Sequence, residues 1–278
     1  MNEVVIADRN QMNNVEELMK ILVVANMLHE QQQVGLLMNH IAESEKNHAA
    51  VMQELAGIKE QLNELLSRTE NASEISKSRK AFSTLTEQTE VRIKAQGEKI
   101  QSIKQDLNQK AKHVVQGFKN TGVKALNGVC SFLGIQEKLI AMRDQARSAE
   151  VDMKNAVEKI DAVEKELSGA ATHLGNAGRI VTGREKSMSE ERAKTQDEKK
   201  GPALFRLLRN YYQKHQDTYA KRVEKLNGAI EKCRTLEQKA SVLKQLSENK
   251  EKVAAKEKDV DAGRSTPVSE HKKDENIR

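Results

Sequence analysis

Tryptophan is missing from this sequence, and four phenylalanines and three tyrosines are the only aromatic residues among 278. A globular domain of that length normally fills its core with more large rings. Proline is confined to Pro202 and Pro267, so long stretches run without a helix breaker. Two cysteines, Cys130 and Cys233, exclude a disulfide framework and point to a reducing compartment. No apolar run suits a bilayer. Val15 to Leu28 is the most apolar stretch, but Lys20 and Asn26 interrupt it, and it is shorter than the roughly 20 residues a spanning helix needs. Residues 1–17 set Glu3, Asp8, Glu16 and Glu17 against Arg9 alone, so the basic start of a secretory signal is absent. The expected location is the cytoplasm.

Ala, Glu, Lys, Gln and Leu are abundant, with 32% charged and 37% apolar residues. That mixture is typical of long helices and coiled coils. The expected fold is all-α, an elongated coiled coil or helical bundle with a disordered C-terminal tail. The net charge of +6 is unevenly spread. Residues 1–70 hold five Lys/Arg against eleven Asp/Glu, residues 71–182 eighteen against thirteen, and residues 183–278 twenty-four against seventeen. An acidic head is thus joined to a basic tail half. Such asymmetry suits pairing within the protein, an acidic partner, or a nucleic-acid or membrane surface.

Hydrophobic spacing divides the chain into six parts. Residues 1–29 form a short N-terminal helix, with Asn13 or Asn14 as its cap and Glu16 and Glu17 in its first turn. The polar run His29 to Gln33 then breaks the pattern. Residues 30–70 form an acidic coiled-coil arm, in which Val34, Leu37, Ile41, Ser44, His48, Val51, Leu55, Ile58, Leu62 and Leu65 alternate by three and four. A turn is expected at 67–73, with Ser73 capping the next helix. Residues 71–182 form a long central helical region. Its start is poorly patterned, but twenty-two successive seam positions run from Leu107 to Val181, only Thr121 and Gly128 not apolar. Gly117, Gly122, Gly128 and Gly134 crowd together, and each costs up to ~1 kcal/mol in a helix interior, so a break is expected within 117–136. Residues 183–201 read as a charged linker. Residues 202–247 read as a basic amphipathic helix starting at Pro202, with a seam of Phe205, Leu208, Tyr212, His215, Tyr219, Arg222, Leu226, Ala229, Cys233, Leu236, Ala240 and Leu243. Residues 248–278 lose their apolar content and read as a disordered tail.

Few residues suggest chemistry. No two of the seven histidines have the spacing that sets two ligands on one helical face, and no thiol pair accompanies them. His48, on the arm's seam beside Ser44, reads as a polar notch that fixes register. Gly178 to Glu185 resembles a phosphate-binding loop only faintly, because Arg184 and Glu185 replace the required Lys and Ser/Thr. Cys130 and Cys233 read as small buried hydrophobes. No catalytic residue, metal ligand or cofactor is expected, nor a small-molecule substrate, and the protein does not read as an enzyme. The candidate interaction seam is Leu139, Met142, Met153, Ile160, Val163, Leu167 and Leu174, which would serve self-association or a protein partner.

Two segments have rival readings. In 111–135, Val115, Phe118, Gly122, Leu126, Val129 and Leu133 form a second stripe flanked by Lys110, Lys112, Lys119 and Lys124. A broad apolar face edged with lysine can lie on a membrane surface or pack within a bundle, and packing is the preferred reading. In 199–225, the candidate nucleic-acid contacts are Lys199, Lys200, Arg206, Arg209, Lys214, Lys221, Arg222 and Lys225, opposed only by Asp217 and Glu224, and all three tyrosines fall in the same segment. Cations interleaved with aromatics can grip phosphates and stack on bases. The preferred reading is a basic helix facing the acidic 30–70 arm or water.

At Val15-Glu16-Glu17-Leu18-Met19-Lys20-Ile21-Leu22-Val23-Val24-Ala25-Asn26, at Gly122-Val123-Lys124-Ala125-Leu126-Asn127-Gly128-Val129-Cys130-Ser131-Phe132-Leu133-Gly134-Ile135, and at His173-Leu174-Gly175-Asn176-Ala177-Gly178-Arg179, the chain resembles uncharacterised bacterial proteins carried on integrative or conjugative elements of gut Firmicutes. The resemblance implies a bacterial, cytoplasmic, mobile-element setting and assigns no role to any residue. The expectation is a non-enzymatic helical scaffold or interaction protein. DNA binding through 199–225 is the alternative, and membrane-surface binding through 111–135 the third.

Overall fold

The computed structural model describes residues 12–67, 73–181 and 203–262. Among them every regular element is a helix: α1 (Asn13–Val24), α2 (Leu28–Ser67), α3 (Ser73–Thr121), a 3-10 turn (Gly122–Leu126), α4 (Val129–Leu133), α5 (Ile135–Val181) and α6 (Ala203–Ala262). Contacts divide the chain into two units, Met1–Cys233 and Arg234–Arg278.

The first unit holds an antiparallel four-helix bundle of α2, α3, α5 and the first part of α6. Side-chain pairs fix each direction. Lys59 meets Glu90 and Lys104 meets Glu45, so α2 opposes α3. Arg92 meets Asp152 and Lys138 meets Asp106, so α3 opposes α5. Arg209 meets Asp161, so α6 returns against α5, and Lys214 with Glu54 and Lys225 with Glu43 set it antiparallel to α2. α3 and α6 therefore run parallel. Their facing residues advance together one heptad at a time: Phe82 on Phe205, Thr89 on Tyr212, Gln96 on Tyr219.

The three-four seams are the bundle's interior. Val34, Leu37, Ile41, Val51 and Leu55 of α2 are buried, as are Leu139, Met142, Ala146, Ala149, Met153, Ala156 and Ile160 of α5. Each fully buried Leu, Ile or Val contributes about 1.5–3 kcal/mol. The poorly patterned start of α3 is packed as well. Thr86 and Thr89 are buried there, and their hydroxyls donate back to the Phe82 and Leu85 carbonyls at 3.0 and 2.8 Å, which removes most of the cost of burying them.

One end of the bundle is closed by α1, the 3-10 turn and α4. Val15, Leu18 and Leu22 are fully buried there, with Leu126, Val129 and Leu133. The chain turns between α3 and α5 on left-handed residues that flank α4, Gly128 (φ 69°) and Gly134 (φ 62°). A side chain would strain both positions. Lys138 donates to the Leu133 carbonyl at 2.5 Å and pairs with Asp106 at 2.6 Å, which ties this corner to α3.

Three boundaries differ from the sequence reading. α1 is preceded by Met12, with no side-chain cap from Asn13 or Asn14. It ends at Val24, ahead of the left-handed Asn26 and not at the polar run His29 to Gln33, which belongs to α2. Asn26 takes the left-handed conformation (φ 57°), and the Met27 amide bonds to the Leu22 carbonyl at 2.8 Å. This is a capping geometry that asparagine tolerates. α6 continues to Ala262, through part of the stretch assigned to the tail. Glu251, Lys252, Ala254, Ala255, Lys256 and Glu257 are all strong helix formers. Of the turn expected at 67–73, Ser67 ends α2 and Ser73 begins α3; residues 68–72, the linker 183–201 and residues 263–278 lie outside the described residues.

Candidate functional site

The basic helix is the sequence's main candidate for an active surface, and most of its polar groups engage the neighbouring helices. Arg209 donates to Asp161 from Nε and Nη2, at 2.8 and 2.6 Å, and also to Glu164. Lys214 pairs with Glu54 at 2.6 Å and Lys225 with Glu43. Arg222 is buried. Arg206 and Lys221 are exposed. Lys199 and Lys200 lie outside the described residues. The eight candidate cations thus form no continuous exposed row among the described residues.

The three tyrosines face inward. Tyr212 is completely buried, and its hydroxyl donates to Thr89 Oγ1 at 3.0 Å, since the Thr89 proton is spent on the Leu85 carbonyl. Tyr211 donates to the Val51 carbonyl at 3.3 Å and Tyr219 to Gln96 Oε1 at 3.2 Å. Burial is the main cause that raises all three phenols, Tyr212 and Tyr219 to about 12 and Tyr211 further.

His215 lies among these rings, T-shaped against Tyr211 at 4.5 Å. Its Nε2 sits 3.1 Å from Glu54 Oε2 and therefore carries the proton. Its Nδ1 is buried without a partner. Burial holds this imidazole below its ordinary pKa of 6.5, against the pull of Glu54. On the adjoining face, His48 of α2 reaches the Ile93 carbonyl at 3.0 Å. It can do so because Gly97 presents no side chain: a Cβ there would lie 2.5 Å from His48 Nε2. His48 and Ser44, which donates to the His40 carbonyl at 2.6 Å, join Gln96, Gln145, Tyr219 and Arg222 in a polar layer crossing all four helices. The sequence signal for that layer is polar residues at seam positions, Ser44 and His48 on α2 and Arg222 on α6; His215, also at a polar seam position, lies instead beside Glu54 and Tyr211.

The candidate seam residues Leu139, Met142, Met153 and Ile160 are buried in the bundle, and Val163 packs partly buried against it. The side chains of Leu167 and Leu174 lie outside the described set. In the 111–135 stripe, Val115, Leu126, Val129 and Leu133 are buried and Phe118 is half-buried, while Val123 and Phe132 are exposed. Among the described residues, no helix is long and apolar enough to cross a membrane, and no three His, Cys, Asp or Glu side chains converge as a metal site.

Fold and site together define an all-α bundle protein in which an acidic arm is clasped by a basic helix and polar layers interrupt the apolar interior. The chain belongs to a family of unknown function, DUF6674, which matches residues 11–269. No curated protein and no solved structure matches it.

Proposed function

We propose that this chain is a non-enzymatic helical scaffold or interaction protein whose first unit is a pre-packed body and whose final helical stretch associates with a second copy of the chain. The observation that carries the reading lies in the second unit. Val242, Leu243 and Leu246 are about half exposed, three large apolar side chains within five residues of one helix. Such a cluster on a helix surface is what pairing of two helices covers. The engagement of Arg209, Lys214 and Lys225 with carboxylates supports a packing role for the basic helix over a role on nucleic acid. The stretches Val15 to Asn26, Gly122 to Ile135 and His173 to Arg179 support a bacterial, cytoplasmic setting on a mobile element.

Light scattering after size exclusion tests the reading. Wild-type protein is expected at a multiple of the 31.2 kDa chain mass, and the combined substitution Val242→Gln, Leu243→Gln and Leu246→Gln at the single-chain mass. A wild-type protein that stays at single-chain mass at every concentration contradicts it. The DNA-binding alternative rests on the exposed Arg206 and Lys221. It predicts duplex retention at low salt, lost when both are changed to Gln.

A further inference from the structure

We propose that the polar layer around Arg222 is a binding site for one monatomic anion of chloride's size and charge. Arg222 is 8% exposed. Tyr219 and Glu43 act on its charge, with no side-chain hydrogen bond to either, although its guanidinium carries five donors. A buried cation whose carboxylate partner, Glu43, is also held by Lys225 is costly. The side chain lines a partly open cavity of about 10 Å³ between all four bundle helices, room for about one water-sized occupant.

The lining distinguishes an anion from a water. Among the described residues, Arg222 is the only formally charged group around the cavity besides the titratable His48, and no carboxylate lines it. Glu43, the carboxylate that acts on Arg222 electrostatically, is held by Lys225. The other polar groups are already oriented. Tyr219 donates to Gln96 Oε1, and Gln145 Nε2 donates to the Gln96 carbonyl at 2.6 Å. The Gln96 amide nitrogen is thereby left as a second donor beside the guanidinium. His48 Nε2 spends its proton on the Ile93 carbonyl. A water would hydrogen-bond here but leave the Arg222 charge offset only by a Glu43 that it shares with Lys225, whereas a monovalent anion both accepts and neutralises. Because the lining comes from α2, α3, α5 and α6, the ion would bind the assembled bundle and not the unfolded chain.

Thermal unfolding of the full chain at fixed ionic strength, with gluconate replaced stepwise by chloride, tests this. A saturable rise in the melting temperature on the order of a few °C is expected for wild type, with bromide acting likewise and sulfate not. Arg222→Met should abolish the rise. A flat wild-type titration, or an equal rise in Arg222→Met, overturns the site. Should that variant not fold, wild-type crystals grown in bromide decide the matter. An anomalous peak beside the Arg222 guanidinium is expected, and its absence refutes the proposal.

Discussion

At the scale of single residues, the bundle is specified by small and polar groups as much as by leucines. His48 and Gly97 form a lock between α2 and α3: the imidazole reaches a backbone carbonyl only because the opposite position has no side chain. Gly97→Ala in wild type should be neutral to destabilising by about 1 kcal/mol, because the propensity gain of up to ~1 kcal/mol is offset by the displaced ring and its lost hydrogen bond. In a His48→Ala background the same change should stabilise by about 1 kcal/mol. Equal effects in the two backgrounds, measured by denaturant titration, would show that the ring does not occupy the notch.

His215 gives the pH counterpart. Its pKa is lowered in the folded state by burial, and that of His40 is lowered for the same leading reason. Above about pH 7.5 both imidazoles are neutral, folded or unfolded, and stability is insensitive to them. As pH falls through 6.5 the unfolded chain takes up protons first, so stability declines until the lower folded-state pKa is reached. Glu54, held below its usual 4.5 chiefly by its hydrogen bond from Lys214, loses its contribution only in a more acidic window. The fall in stability between about pH 7.5 and 5.5 should shrink in His215→Gln. An unchanged slope would place His215 outside the core.

At the scale of elements, the central fact is which helices pair. The seams, the glycine-rich corner and the contrast between acidic arm and basic helix are all readable in the sequence, because each is a pattern of spacing or charge. Leu139, Met142, Met153 and Ile160 stand where a three-four seam puts them. The start of α3 is harder to read, because its buried positions include Thr86 and Thr89, which break apolar periodicity yet satisfy their hydroxyls on their own helix. The end of α1 escapes the pattern because one asparagine in a left-handed conformation leaves no mark on hydrophobic spacing. The partners of Arg209, Lys214 and Lys225 are unreadable for another reason: a seam says that a helix packs, not which carboxylates it meets. Exposed pairs of this kind are worth about 0.2–1 kcal/mol each. Lys225→Glu should therefore lower stability by about 1 kcal/mol at low salt, and adding Glu43→Lys should recover most of the loss. If the second change deepens the loss instead, the two side chains are not neighbours.

At the scale of the whole molecule, the basic helix is an internal member of a bundle, not a free arm. The protein has no tryptophan, and all three of its tyrosines, Tyr211, Tyr212 and Tyr219, lie on that helix. Phenol ionisation, followed by near-ultraviolet absorbance, therefore reports on this helix alone. In the packed bundle the phenols should stay protonated through the ordinary tyrosine pKa of 10 and ionise only near 12 and above, whereas the denatured chain should titrate near 10. Three tyrosines ionising near 10 in the native protein would contradict this, for the helix would then be presenting its rings to solvent.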